Sequence, residues 1–535
     1  MRKIEELISS MSIDELCGQV LCYNIPTNSN NIEEDIKSTK PGGIFLYGIN
    51  PEKIKNFTDT INKGVKVPVV VATDVENGPG GGVLEGEYTA LPMPMACGAA
   101  DDEMLMEKAG IDTARICRKS GFHWTFSPVV DINYNPDNPV TNIRAVSDSP
   151  KQVVKIAGAY MRGLQCEGNM AATCKHFPGD GMDDRNQHLC TTVNSMSKDE
   201  WMNTYGYVYK EMFKQNVAAV MIGHISLPAY QSEDECDKVT GYKPATLSYN
   251  LITKLLKEEL GFNGCVVSDA MSMIGVAAVT AKKDLAVEFI NAGGDMILFA
   301  EPEDFDHLKK AVLGGRISMS RLKDAVRKVL ELKEKVGLLD DMPKAVKEPE
   351  CIEETALKIA EKSISIIRNT ENILPLNINK GDNILLCNIT EKEAGPDIVP
   401  FDTLKQEFEK RGINVTVIEN QGHREIKKLI DEKSPYCVLV NSRLSANECN
   451  GGSGRLNFRQ MMCFWRGCIF NNPRVVFTSF GDPYKIHEVP FMRTYVNAYS
   501  STVEMQKAFV KVILGEIEAK GKSPVDFPGY FKHEV

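Results

Sequence analysis

The sequence predicts an α/β protein, a (β/α)8 barrel of the TIM type followed by a smaller α/β domain, a three-layer sandwich. Three observations predict it. Residues 1–340 carry eight short apolar runs rich in β-branched residues, the look of strands buried on both faces. Amphipathic helical patterns separate most of them. Beyond residue 338 the chain turns polar and proline-bearing, and a second, shorter alternation of strand-like and helical patterns begins.

The eight runs, in order, are GQVLCYNI (18–25), GGIFLYG (42–48), PVVVATD (68–74), HWTFSPVVD (123–131), AATCKHF (171–177), VAAVMIGH (217–224), GCVVSDA (264–270) and GDMILFA (294–300). Helical spacing shows in DEMLMEKAGIDTARICRKSG (102–121), KQVVKIAGAYMRGLQCEG (151–168) and LITKLLKEEL (251–260). The gaps are uneven, so some barrel units are expected to be irregular. GLLDDMPKAVKEPE (337–350) reads as a linker, and a helix and NILPLN (372–377) follow it. The expected division is a barrel over 1–340, a linker and connecting helix over 341–362, and a sandwich over 363–535. The sandwich strands are read in NILLCNI (383–389), INVTVIE (413–419), YCVLVNS (436–442) and RVVFTSF (474–480).

Composition narrows the function classes. The chain has 535 residues, 43% of them hydrophobic, and a formal net charge of −10 without a long run of one sign. A nucleic-acid partner would call for a basic patch, so none is expected. No stretch has the apolar length of a membrane span. The start, MRKIEELISSMSIDEL, lacks the apolar core of a secretory signal. The 15 cysteines therefore read as reduced thiols of a cytoplasmic protein, a monomer or homodimer. They show neither a CxxC pair nor zinc spacing, and no metal or cofactor is expected. GPGGG (78–82) lacks the GxGxxG spacing of a nucleotide loop and reads as a turn.

Polar residues gather where the strand-like runs end. In a parallel barrel that is the face where sites are built. The third run ends in Asp74, the fifth in Lys175 and His176, the sixth in His224 and the seventh at Asp269, and Glu301 follows the eighth. Arg144 lies in the long loop after the fourth. Charges of both signs suit a polyhydroxylated ligand, because hydroxyls both donate and accept. Asp269 is the most pointed of these. An acid directly after a buried strand is costly unless it is paired or functional; the plain alternative is a helix cap, from Ser268 or Asp269. His224 alone reads as a satisfied buried histidine. KHFPGDGMDDRNQH (175–188) leaves a further question. It sets Asp180, Asp183, Asp184 and His188 in a loop poor in regular-structure formers.

These segments resemble glycoside hydrolase family 3, in its branch of bacterial β-N-acetylglucosaminidases. KHFPGDG (175–181) is similar to that branch's hallmark loop, and GFNGCVVSDAMSM (261–273) to the family's nucleophile segment. KPGGIFLY (40–47), FSPVVDIN (126–133) and MIGHISLP (221–228) resemble its strand ends. SISIIRNTENILPLN (363–377) and GEIEAKGKSPV (515–525) resemble its linker and C-terminal ends. The resemblance implies a retaining exo-acting enzyme that removes terminal N-acetylglucosamine from glycosides such as cell-wall fragments. It implies Asp269 as nucleophile and His188 as acid/base. It implies Asp74, Arg144, Lys175 and His176 as holders of the sugar. The loop is then expected to swing an imidazole onto the leaving-group oxygen.

Two positions depart from the branch. It carries an aspartate two residues before the catalytic histidine; this chain has Asn186 there. Asn186, Asp184 or Asp183 is left to orient the ring, with Asp180 a further acid nearby. The related enzymes also carry an arginine in the glycine-rich stretch after Asp74, and ENGPGGGV (76–83) has none. The alternatives are an N-acetylglucosaminide phosphorylase, a β-glucosidase-type hydrolase, and a sugar-binding protein with a weakened site. In the second domain, NSRLSANECNGGSGRLNFRQ (441–460) reads as a plain connecting loop or as a cap for the barrel mouth.

Overall fold

The computed structural model describes residues 2–25, 38–63, 65–84, 88–168, 170–340, 345–390, 399–444, 455–467 and 469–529. The chain forms two compact units. The first comprises 1–88, 107–132 and 157–350; the second comprises 89–106, 133–156 and 351–535. Two stretches from the first 340 residues thus group with the C-terminal part. For 133–156, hydrogen bonds within the second unit account for it. Ser147 Oγ donates to Pro524 O at 2.6 Å, the Asp526 N–H donates to Asp148 Oδ2 at 2.7 Å, and Asn133 Nδ2 donates to Tyr484 Oη at 2.8 Å.

Each of the eight runs holds a strand of the first unit. They are β1 (Leu21–Asn24), β2 (Gly43–Phe45), β3 (Val70–Thr73), β4 (Trp124–Thr125), β5 (Thr173–Phe177), β6 (Ala219–Ile222), β7 (Cys265–Ser268) and β8 (Ile297–Ala300). They pair parallel in the orders β8-β1-β2-β3-β4 and β7-β6-β5. Isolated parallel bridges link Trp124 to Ala171, Val129 to Lys175 and Val267 to Met296. Cys22, Ala72, Trp124, Met221, Val267 and Met296 share one apolar core, to which the helix Met319–Lys335 adds Val329 and Leu332. Local signals start the helices. In SIDE (12–15), Ser12 Oγ accepts the Glu15 N–H while Glu15 accepts the Ser12 N–H, a capping box that opens Ile13–Gln19.

The helix Met319–Lys335 also buries Lys333 completely, with Nζ donating to Gln19 Oε1 at 2.8 Å. Burial depresses its pKa from 10.5 to about 7. Between those values the unfolded chain binds more protons at this site. Its contribution to stability therefore rises with pH from about 7 towards 10.5, by up to about 1.4 kcal/mol per pH unit. Lys333→Met is expected to flatten that slope and to stabilise the protein most at pH 7 and below. Urea midpoints of both proteins at pH 7 and 9.5 check it; parallel pH dependences would contradict it.

The second unit is built on a six-stranded sheet. Its strands are β9 (Ser365–Asn369), β10 (Asn383–Thr390), β11 (Asn414–Glu419), β12 (Cys437–Arg443), β13 (Val475–Ser479) and β14 (Thr494–Asn497), in the order β9-β14-β13-β12-β10-β11. Only β9 runs antiparallel to its neighbour. The helix Val503–Ile513 packs on Ile352–Ser363 and Asp402–Lys410, and His423–Lys433 packs on Met462–Gly467. Both units are thus α/β with mostly parallel sheets. Among the described residues, no helix is long and apolar enough to cross a membrane.

Candidate active site

Two strand ends of the first unit supply the first cluster. Lys175 lies on β5 and is buried, so its ammonium needs counter-charges close by. It has two. Nζ stands 2.7 Å from Asp74 Oδ1, just past β3, and 2.7 Å from Glu76 Oε1. The Asp74 carboxylate keeps part of its surface in solvent, so the trio faces outward through Asp74.

His176 is next on β5 and equally buried. Its Nδ1 lies 2.7 Å from Asp131 Oδ2, and Asp131 Oδ1 accepts the N–H groups of His176 and Asp180 at 3.1 and 2.8 Å. Burial opposes a charge on this imidazole, but the Asp131 carboxylate, helped by Asp269, holds its pKa above the ordinary value. A raised histidine pKa contributes stability below the ordinary value of 6.5, lost as pH rises through the folded value. Asp131→Asn is expected to lower the His176 pKa and to destabilise the fold by about 2–3 kcal/mol. Histidine titration by NMR with a denaturant midpoint checks both; an unchanged His176 pKa would contradict the pairing.

The loop after β5 is pinned rather than loose. Gly179 (φ +120°) and Gly181 (φ +104°) both stand where any side chain would collide. A Cβ on Gly179 would meet the Tyr205 ring at 2.1 Å, and one on Gly181 would meet Ile132 O at 2.0 Å. The Tyr205 hydroxyl donates to Asp180 O at 2.5 Å, and the Trp201 indole donates to Pro178 O at 2.8 Å. Asp184 and Arg185 are exposed, whereas Asn186 and Gln187 are buried again. The expected swinging loop is thus anchored on both sides of its exposed tip.

Asn186 is the ring partner of His188. Its Oδ1 accepts the His188 backbone N–H at 2.9 Å and faces the ring Nδ1 at 2.7 Å. A backbone N–H requires an acceptor, which identifies this amide end as oxygen, so the Nδ1 it faces carries a proton. Asp183 accepts from the Arg185 side chain, from the Arg185 N–H at 2.9 Å and from the Val193 N–H at 2.8 Å; burial works to raise its pKa, but Arg185 and both amides hold its carboxyl below the ordinary value. Asp180 Oδ1 accepts the Gly181 N–H at 2.6 Å.

Asp269 follows β7 and is half-buried. Its N–H donates to Ile222 O at 2.9 Å, continuing the β6–β7 ladder, and its Oδ1 accepts the Ala270 N–H at 2.8 Å. The next helix begins only at Ile274, so Asp269 does not cap it. Ser268 instead accepts the Leu298 N–H, from β8. Burial works to raise the Asp269 pKa, yet His176, His224 and His188 together hold it below the ordinary value. Asp269 is therefore a carboxylate at neutral pH, within the field of three histidines. His224 is fully buried; Nδ1 faces Thr246 Oγ1 at 2.8 Å and Nε2 faces Ala270 O at 3.0 Å. Burial lowers its pKa.

The structure thus brings Asp74, Lys175 and His176 together and sets His176, His188 and Asp269 in one electrostatic cluster. Glu301 stays apart: it pairs with exposed Lys282 at the start of the helix Pro302–Leu313. Arg144 belongs to the second unit, at the end of a short turn where its Nη1 donates to Val140 O at 3.2 Å. Residues 445–454 of the loop read as a connector or cap lie outside the described residues. Sequence reasoning missed Glu76, Asp131 and Gln187. Asp131 had a signal, because it closes the fourth apolar run and sits two residues after the buried Val129.

A family model described as "Glycosyl hydrolase family 3 N terminal domain" matches residues 2–332. A Cellulomonas fimi "Beta-N-acetylglucosaminidase/beta-glucosidase" is 28% identical over 542 residues, spanning 98% of this chain and 95% of its own. A "Beta-hexosaminidase" of Methylobacillus flagellatus is 30% identical over 289 residues, 52% of this chain and 79% of its own. Among solved structures, "Beta-glucoside phosphorylase BglX bound to 2FGlc" superposes with a TM-score of 0.87 at 28% identity, covering 98% of this chain and 96% of that one. A family 3 β-N-acetylglucosaminidase from Paenibacillus sp. str. FPU-7 superposes with a TM-score of 0.84 at 26% identity, covering 96% and 99%.

Proposed function

Because this chain belongs to glycosyl hydrolase family 3, we propose that it is a retaining exo-β-N-acetylglucosaminidase with Asp269 as nucleophile and His188 as acid/base. The observation that carries the reading is the Asp269 carboxylate at the end of β7, held against the cost of burial below the ordinary range, chiefly by the neighbouring His176. The Asp269 carboxylate attacks the anomeric carbon as the glycosidic C–O bond breaks, and the His188 imidazolium gives its Nε2 proton to the departing oxygen. Neutral His188 then takes a proton from water, whose oxygen displaces Asp269 from the glycosyl ester. The Asn186 contact supports this role: with Nδ1–H turned to Asn186, Nε2 is the nitrogen that exchanges the proton. Asp74 and Lys175, with Glu76 behind them, offer hydroxyl-binding charges of both signs.

In this reading the eight strands of the first unit form a closed (β/α)8 barrel, for which the three isolated parallel bridges between the sheets speak. The second sheet with its two helix groups is read as a three-layer sandwich. A cytoplasmic monomer or homodimer without a nucleic-acid partner belongs to the same proposal, with N-acetylglucosamine-terminated cell-wall fragments as substrates.

A second reading, phosphorolysis, has its own support. Asn186 puts no negative charge beside His188, so a phosphate dianion meets less repulsion there than in a branch with aspartate at this position. The test is nitrophenol release from an aryl N-acetyl-β-glucosaminide, with and without phosphate, and identification of the sugar product. Free N-acetylglucosamine at a phosphate-independent rate is the expected result. A glycosyl phosphate product would move the assignment to a phosphorylase, and no release under either condition would remove it.

A further inference from the structure

Gln187 lies between Asn186 and His188 in the chain, and it is fully buried. Its Oε1 accepts the backbone N–H of His224, directly beyond β6, at 2.9 Å. Because that donor demands an oxygen, the amide has one orientation, and its Nε2 is left without a hydrogen-bond partner. An orphaned buried donor is costly, and native proteins keep few of them. An apolar side chain of the same length would fill the space without that cost. What it could not do is accept the His224 N–H.

The packing around the amide is tight on the site side. A Cβ on Gly223 would stand 3.0 Å from Gln187 Oε1 and 3.0 Å from the Cβ of His176. The Gln187 carbonyl lies 2.1 Å from where a Cβ on Gly275 would be, and the Ile274 N–H donates to His188 O at 2.9 Å. On the far side, the His224 ring reaches Ala270 O, one residue past Asp269. A continuous set of contacts therefore runs from the acid/base segment through Gln187 and His224 to the nucleophile segment.

We propose that Gln187 is a positioning residue: its amide latches the His188 segment to the end of β6 and so fixes where the acid/base stands relative to Asp269. The inference rests on the roles proposed for those two residues. A structural filler would affect folding, whereas a latch for the acid/base acts on the proton-transfer step. The two differ in what a loss looks like.

The test is Gln187→Met, nearly isosteric and without the acceptor, compared with the unaltered protein on two N-acetyl-β-glucosaminides. One carries a poor leaving group, a second sugar; the other carries dinitrophenol. The latch predicts a kcat/KM loss on the disaccharide at least ten times the loss on the dinitrophenyl glycoside. Equal losses, or none, would overturn it. Hydrogen exchange provides a readout that needs no turnover. The amides of Leu189 and Cys190, which donate to Asn186 O at 2.9 and 3.1 Å, are expected to exchange at least tenfold faster in the variant. If the unaltered protein cleaves neither substrate, the proposed function falls and exchange alone decides the latch, with unchanged exchange overturning it. Should Gln187→Met fail to fold, Gln187→Glu, which keeps an oxygen for the His224 amide, is expected to fold and to restore slow exchange. Fast exchange in that variant would overturn the latch.

Discussion

Asp269→Asn is expected to cut turnover of N-acetyl-β-glucosaminides by on the order of 10⁴-fold or more, with the fold retained. The size follows from the step removed. An amide cannot form the glycosyl ester, so only the stabilisation of a charged transition state by the remaining site survives. The retained fold follows from what the side chain does structurally, which is little. It accepts the Ala270 N–H and caps no helix, and an asparagine oxygen can accept the same bond. The exchange also removes the negative charge that helps to raise His176 and His224. Both imidazoles should therefore titrate at lower pH in the variant, measurable by NMR alongside the kinetics. Near-normal rates in Asp269→Asn would eliminate it as nucleophile.

His188→Ala is expected to lower kcat/KM by about 10²–10⁴-fold on substrates with poor leaving groups and by far less on dinitrophenyl glycosides. An alkoxide cannot leave without a proton, whereas dinitrophenolate needs little help. Ester hydrolysis also loses its base, so kcat on the activated substrate should fall, and azide, which attacks without deprotonation, should restore it. The Asn186 contact makes the prediction sharper. Asn186 orients the ring at 2.7 Å but contributes no charge to steady the imidazolium. Asp183 accepts from Arg185 and from the Val193 amide. Asn186→Asp is accordingly expected to raise kcat/KM on poor leaving groups and to move the basic limb of its pH profile upward. Loss of the analogous aspartate in a serine-protease triad costs about 10⁴-fold, which bounds the possible gain. Equal losses on both substrate classes in His188→Ala would assign His188 to sugar binding.

Much of this was legible in the sequence because buried parallel strands leave a strong apolar signature. All eight runs of the first unit, and four in the second, coincide with strands. The two strands of the second sheet that escaped, β9 and β14, lie next to each other as its one antiparallel pair among the described residues, and four two-residue strands of the first unit escaped as well. β14 is only four residues, and β9 carries Arg368 and Asn369 at its end, so neither shows a long apolar run. Partition into units was less legible, because segments such as 133–156 are tied to the C-terminal residues by single hydrogen bonds that no periodicity announces. At the site, the charged residues at strand ends stood out. Their partners did not: Asp131 and Glu76 act through contacts at sequence separations of 45 and 99, and Gln187 is a plain amide inside a polar loop. The reason for the loop's two glycines was not legible either: Tyr205 and the Ile132 carbonyl leave no room for a side chain at either position.

The most direct test of the account is mass spectrometry of the protein after reaction with a 5-fluoro N-acetylglucosaminyl fluoride, which forms the glycosyl ester quickly and hydrolyses it slowly. Peptide mapping is predicted to find a single added sugar on the segment containing Asp269, in VVSDAMSM (266–273), and none in the Asp269→Asn variant. A label on any other carboxylate, or an unlabelled protein that still turns over aryl N-acetyl-β-glucosaminides, would contradict it.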